Sequence, residues 1–95
     1  MPRIMSEAIQ LQRIEINGPR SGPHLLITGG VHGDEFESMA AIRRLQDAVS
    51  DKDLRGRLTL VPVVNEAAFR NGDRTADDGL DLARVCPGDP DGSVT

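Results

Sequence analysis

Residues Leu25 to Glu35 read LLITGGVHGDE, and this stretch decides the fold. The apolar run from His24 to Thr28 has the length and composition of a central strand. Gly29 and Gly30 end it. His32 follows, and Glu35 stands three residues further on, where a helical pattern begins. Imidazole nitrogen and carboxylate oxygen are both good ligands for zinc. At the end of a strand, side chains at this spacing can face one spot in an open crevice, which is where ligands gather in open α/β sheets. Gly29, Gly30 and Gly33 read either as turn residues or as space left beside His32 for a substrate. Taken alone, His-x-x-Glu is a weak motif, and a surface histidine beside an acidic helix start explains it as readily.

Working outward, Phe36, Met39, Ala40, Leu45, Ala48 and Val49 recur at helical spacing, with Glu37, Arg43, Arg44 and Asp47 on other faces. Asp34, Glu35 and Glu37 fall in the first turn, where acidic residues suit the helix dipole. Upstream, Ile9, Leu11, Ile14 and Ile16 nearly alternate with polar residues, as in a half-buried strand with a bulge. Asn17-Gly18-Pro19 and Ser21-Gly22-Pro23 break the chain before the next strand. Downstream, Leu58 to Val64 is a second strand-like run, and Pro62 places it near a sheet edge or at a bulge. Strand, helix, strand in this order predicts a βαβ unit with a parallel pair. Beyond Asn65, the pairs Asn71-Gly72, Asp78-Gly79, Pro87-Gly88 and Asp89-Pro90 are loop signals, and no core element is expected from Asn71 to Thr95.

The 95 residues allow one domain with a modest, aliphatic core, since there are two Phe and no Tyr or Trp. The net charge of -4 argues against a nucleic-acid partner, whose footprint is normally basic. No apolar run approaches the length of a membrane span, and the first ten residues lack the apolar core of a signal peptide. A single cysteine, Cys86, precludes an intrachain disulfide, and a cytoplasmic location is expected. Oligomeric state is not legible.

Five further residues carry possible chemistry. Asp34, between the two candidate ligands, is either a group orienting the imidazole through its other nitrogen or simply a helix N-terminal acid. His24, eight residues from His32, reads as a solvent-facing strand start. Arg74 and Arg84 lie in the polar tail, where an arginine is usually just solvated, though a guanidinium can grip a carboxylate or stabilise an oxyanion. Cys86 reads as a small buried hydrophobe.

Three blocks then fall in order. GGVHGDE, LTLVPVVNEAAF and DGLDLARVCPG resemble the succinylglutamate desuccinylase/aspartoacylase family of zinc carboxypeptidase-like hydrolases. The resemblance runs from Leu25 to Thr95. It implies an α/β, zinc-carboxypeptidase-like fold with a mixed, partly parallel sheet and a flanking helix. It implies a zinc ion with His32 and Glu35 as the first two ligands, Arg74 polarising the scissile carbonyl, Arg84 holding a substrate carboxylate, and Asp81 supporting the site for substrate. Two departures stand out. Ala83 replaces the asparagine that usually precedes the arginine, which removes one substrate hydrogen bond, and Cys86 replaces a phenylalanine. The family's third ligand, a histidine, and its general base, a glutamate, come later than Thr95.

Residues 1–95 therefore read as the N-terminal part of a single catalytic domain acting on a small acylated substrate. The implied reaction is hydrolysis of an amide or ester bond, with deacylation of an N-acyl amino acid foremost. A metallocarboxypeptidase is the nearest rival, mildly disfavoured by Ala83. A non-catalytic α/β module and an inactive fragment are rivals of another class. The chain by itself is expected to be inactive.

Overall fold

The computed structural model describes residues 10–95. Strand β1 spans Ile14–Asn17, β2 Arg20–Thr28 and β3 Arg55–Val61; helix α1 spans Phe36–Ala48, α2 Glu66–Asn71 and α3 Leu82–Val85. A single 3-10 turn, Asp51–Asp53, leads into β3. The sheet has the order β1-β3-β2, with β1 antiparallel and β2 parallel to β3. The expected βαβ unit is present, and α1 is its crossover. Two positions in the sheet differ from expectation. β3 is central and β2 lies at an edge of the described sheet. Pro62 does not demote β3, because it falls just past the last strand residue, Val61, where no ladder donor is needed. Of the expected first strand, Ile14 and Ile16 lie in β1, Leu11 precedes it, and Ile9 lies outside the described residues.

The chain passes from β1 to β2 around the start of β3. The Gly18 N–H donates to the Gly56 carbonyl (2.8 Å) at this crossing. Gly56 has φ +93, and a Cβ on it would run into the Pro23 carbonyl oxygen, so the crossing requires glycine. The register between β2 and β3 slips between Arg20 and His24, around Ser21-Gly22-Pro23. The segment is thus a bulge within β2 and not the break before it that its turn residues predict.

One face of the sheet packs on α1. Ile42 meets Leu58 and Leu60, with Ile14, Ile16, Ile27, Leu45, Val49 and Leu54 around them. The helix starts at Phe36, with Glu35 at its N-cap position but making no side-chain cap bond, and buries Met39 and Ile42. Phe36 lies outside this core and meets Phe69 edge-on at 6.2 Å. The opposite face carries a polar ladder across all three strands. Arg57 donates to His24 Nδ1 (3.0 Å), His24 Nε2–H donates to Thr59 Oγ1 (2.7 Å), and the Thr59 hydroxyl donates to Glu15 (3.2 Å). His24 is exposed, as expected, but it is held by this ladder rather than merely solvated. Among the described residues, no helix is long and apolar enough to cross a membrane.

Candidate functional site

The two parallel strands deliver their following loops to the same rim. The Gly29 N–H donates to the Val61 carbonyl, the Val64 N–H to the Gly29 carbonyl and the Asn65 N–H to the Gly30 carbonyl, each at 2.9 Å. These bonds lace the GGVHGDE loop to the exit of β3. Asn65 is buried and caps α2 by accepting from the Ala68 N–H (3.2 Å). Helix α2 then lies so close to the loop that a Cβ on Gly33 would run into the Ala68 carbonyl carbon, the Phe69 nitrogen and the Asp73 carbonyl oxygen. The Gly33 N–H donates to the Arg74 carbonyl (3.2 Å), which pulls the segment after α2 against the loop.

His32 stands at the centre of this arrangement, with its ring 14 % exposed. Its Nδ1 lies 3.0 Å from Glu35 Oε2, and its Nε2 lies 3.0 Å from Asp81 Oδ1. Asp81 Oδ1 also accepts from the Ala83 N–H (3.0 Å) and so caps α3. Arg74 spans both carboxylates, with Nη1 3.3 Å from Glu35 Oε2 and Nη2 3.6 Å from Asp81 Oδ2. Arg84 Nε lies 3.5 Å from the same Asp81 oxygen. His32, Glu35, Arg74, Asp81 and Arg84, singled out along 53 positions of sequence from 32 to 84, thus form one connected group.

The electrostatics follow from a count of protons. A neutral imidazole has one N–H, yet both ring nitrogens here face carboxylate oxygens. A second positive centre is needed on the Glu35 side, either a proton or a bound cation. Hydrogen bonding to the Glu35 carboxylate, then to that of Asp81, accordingly raises the His32 pKa above its ordinary value. The hydrogen bond from His32 lowers that of Asp81. Were Nε2–H given to Asp81 and a cation to replace the proton between Nδ1 and Glu35 Oε2, that nitrogen and oxygen would both be free to hold it. That donor set of one nitrogen and one oxygen suits zinc, and a carboxylate on the far side of a metal-bound histidine is the usual orienting device. Among the described residues, no group of three or more His, Cys, Asp or Glu side chains is disposed around a common metal position.

Several residues sit elsewhere than expected. Asp34 is exposed, and Asp81 takes the second imidazole nitrogen that Asp34 was a candidate for. Asp81 meets His32 Nε2 and lies beside Arg84, within the group it was expected to support. Cys86 is exposed, not buried, because α3 has no buried face for it to follow. The stretch from Asn71 to Thr95 is not featureless, since it holds α3 and the buried Ala76. Asn65 and Asp78 were missed. Asn65 before Glu-Ala-Ala was a legible cap signal.

In open α/β sheets ligands gather beyond the carboxyl ends of the parallel strands, and here that rim carries an imidazole, two carboxylates and two guanidiniums. A family model described as the succinylglutamate desuccinylase/aspartoacylase catalytic domain matches residues 21–95. N-alpha-acetyl-L-2,4-diaminobutyric acid deacetylase of Halomonas elongata is 48 % identical over 75 residues, covering 78 % of this chain and 22 % of the relative. The crystal structure of an aspartoacylase family protein from Mesorhizobium loti superposes with a TM-score of 0.83 at 40 % identity, over 93 % of this chain and 28 % of that one. A product-bound structure of the ectoine utilization protein EutE (DoeB) from Ruegeria pomeroyi gives a TM-score of 0.77 at 43 % identity, over 86 % and 25 %. The chain belongs to the succinylglutamate desuccinylase/aspartoacylase family, with that family's fold. It spans about a quarter of the length of these relatives.

Proposed function

We propose that this chain forms the N-terminal part of a zinc-dependent hydrolase domain that deacylates a small N-acyl amino acid. The observation that carries the reading is the convergence of His32 Nδ1 and Glu35 Oε2 (3.0 Å) with Asp81 on the far ring nitrogen. The family membership and a deacetylase among the relatives support it. His32 and Glu35 would hold the zinc, and a bound zinc polarises a carbonyl and lowers the pKa of a bound water. Asp81 keeps the His32 ring in the tautomer whose Nδ1 carries the lone pair. Arg74, beside Glu35, is placed to donate to the acyl oxygen as negative charge develops there. Arg84 is largely exposed and reaches the same crevice, so its guanidinium can pair with the substrate carboxylate. Ala83 offers no side-chain donor beside it, which leaves that carboxylate to the arginine fork. The working location is the cytoplasm.

The test is deacylation of N-acetyl amino acids by the intact protein, with and without zinc, and with Arg84→Ala. Zinc-restored turnover with a raised KM in the variant is expected. Wild-type turnover that is indifferent to chelation would overturn the reading. The 95-residue chain contains two histidines, of which only His32 belongs to the site, and measurable zinc-dependent turnover by it alone would contradict the assignment of two donors.

A further inference from the structure

The segment that carries Asp81 and Arg84 has little to hold it by apolar burial. Helix α3 has no buried residue, Leu80 is 42 % exposed and the Arg84 side chain 84 %. Hydrogen bonds must fix it, and one carboxylate closes it at both ends. Asp78 Oδ1 accepts from the Leu80 N–H (3.1 Å) and from the Thr95 hydroxyl (2.7 Å). Asp78 Oδ2 accepts from the Ser93 hydroxyl (2.7 Å) and from the Thr95 N–H (2.9 Å). Two hydroxyls and two backbone amides thus converge on a half-buried carboxylate, and the Ser93 hydroxyl foremost holds its pKa well below the usual range. The excursion between these anchors, residues 79–94, contains Asp81, three positions beyond the clamp, and Arg84, six beyond.

We propose that Asp78 is a positioning residue for the site: its carboxylate closes the 79–94 excursion and so sets Asp81 against His32 Nε2 and Arg84 beside it. This rests on the hydrolase reading above, and the two stand or fall on different measurements. Asp78 touches neither His32 nor Glu35 and acts only through the chain it ties. Asp78→Asn is the sharp variant, because an amide nitrogen cannot accept, so two of the four donors lose their partner with little change of shape.

The experiment is zinc titration and steady-state deacylation with the intact protein, wild type against Asp78→Asn, Asp81→Asn and the double variant. Loss of a group that orients a ligand typically weakens metal binding about 10–100-fold, and Asp78→Asn is expected near the lower bound, about 10-fold. At saturating zinc its KM rises while kcat changes less, as for lost substrate anchoring. The double variant binds zinc no more weakly than Asp81→Asn alone, since both act through one contact. Wild-type zinc affinity and KM in folded Asp78→Asn, or losses that simply add in the double variant, would overturn the proposal. Should Asp78→Asn not fold, Ser93→Ala removes one exposed hydroxyl donor and carries the same test with a smaller effect. If the wild type binds no zinc, the hydrolase reading fails, and hydrogen exchange at the Ala83 amide, which donates to Asp81, still judges the clamp. Faster exchange in Asp78→Asn supports it, and unchanged exchange overturns it.

Discussion

At the residue scale, His32 sets the behaviour of the site. Its two nitrogens face two carboxylates, so in the zinc-free protein it is stabilised as an imidazolium and its pKa is raised. The folded state then binds a proton more tightly than the unfolded state does. This contribution to stability is full below the ordinary value of about 6.5 and is lost as pH rises through the raised folded value. On the proposed reading, zinc would compete with the same Nδ1 proton. Zinc affinity is therefore expected to climb with pH until it passes the raised His32 pKa, and then to level off. Asp81→Asn replaces one of the two carboxylates that raise this pKa with a neutral amide, a weaker acceptor for the imidazolium, so the inflection moves to lower pH. Zinc titrations across a pH series, monitored with a competing chelator, check both statements. Asp78 behaves oppositely, since its folded pKa is depressed. Its contribution is present above the ordinary carboxylate value and is lost only as pH falls through the depressed one. The stability difference between wild type and Asp78→Asn is thus expected to be flat across the neutral range.

At the element scale, two backbone arrangements hold the rim together. Gly33 has no room for a Cβ against α2. Gly33→Ala is expected to cost about 1–3 kcal/mol, as overpacking typically does, and to separate His32 from Arg74. Asn65→Ala removes the cap of α2, worth about 1 kcal/mol, and loosens the same contact from the other side. Urea denaturation of the two variants checks both values. These elements also show what sequence alone revealed. The α1 crossover and the parallel pair were legible because apolar periodicity and glycine punctuation are local signals. The edge position of β2 and the central position of β3 were not, because strand order depends on pairings between segments far apart in sequence. The same limit explains the site. His32 and Glu35 announce themselves within four residues, and block order brought in Arg74, Asp81 and Arg84. That Asp81 rather than Asp34 meets the second nitrogen, across 49 positions, had no local signature.

At the scale of the whole molecule, burial is thin. The buried core cluster is Ile42, Leu58 and Leu60, and Leu25 and Leu26 on β2 remain more than half exposed. Leu60 is fully buried at the centre of the sheet, and Leu60→Ala is expected to cost about 2–5 kcal/mol. A domain of this size has little stability to spare, so thermal unfolding of that variant should show loss of a cooperative transition in the 95-residue chain. The open rim, by contrast, depends on hydrogen bonds and glycine contacts more than on this core, which is why its geometry is read from polar partners. The most direct test of the central claim is zinc content and affinity of the intact protein beside His32→Ala and Glu35→Gln. The account predicts one zinc ion per wild-type chain and loss of tight binding in each variant, with the fold retained by circular dichroism. Undiminished zinc binding in both variants would contradict it.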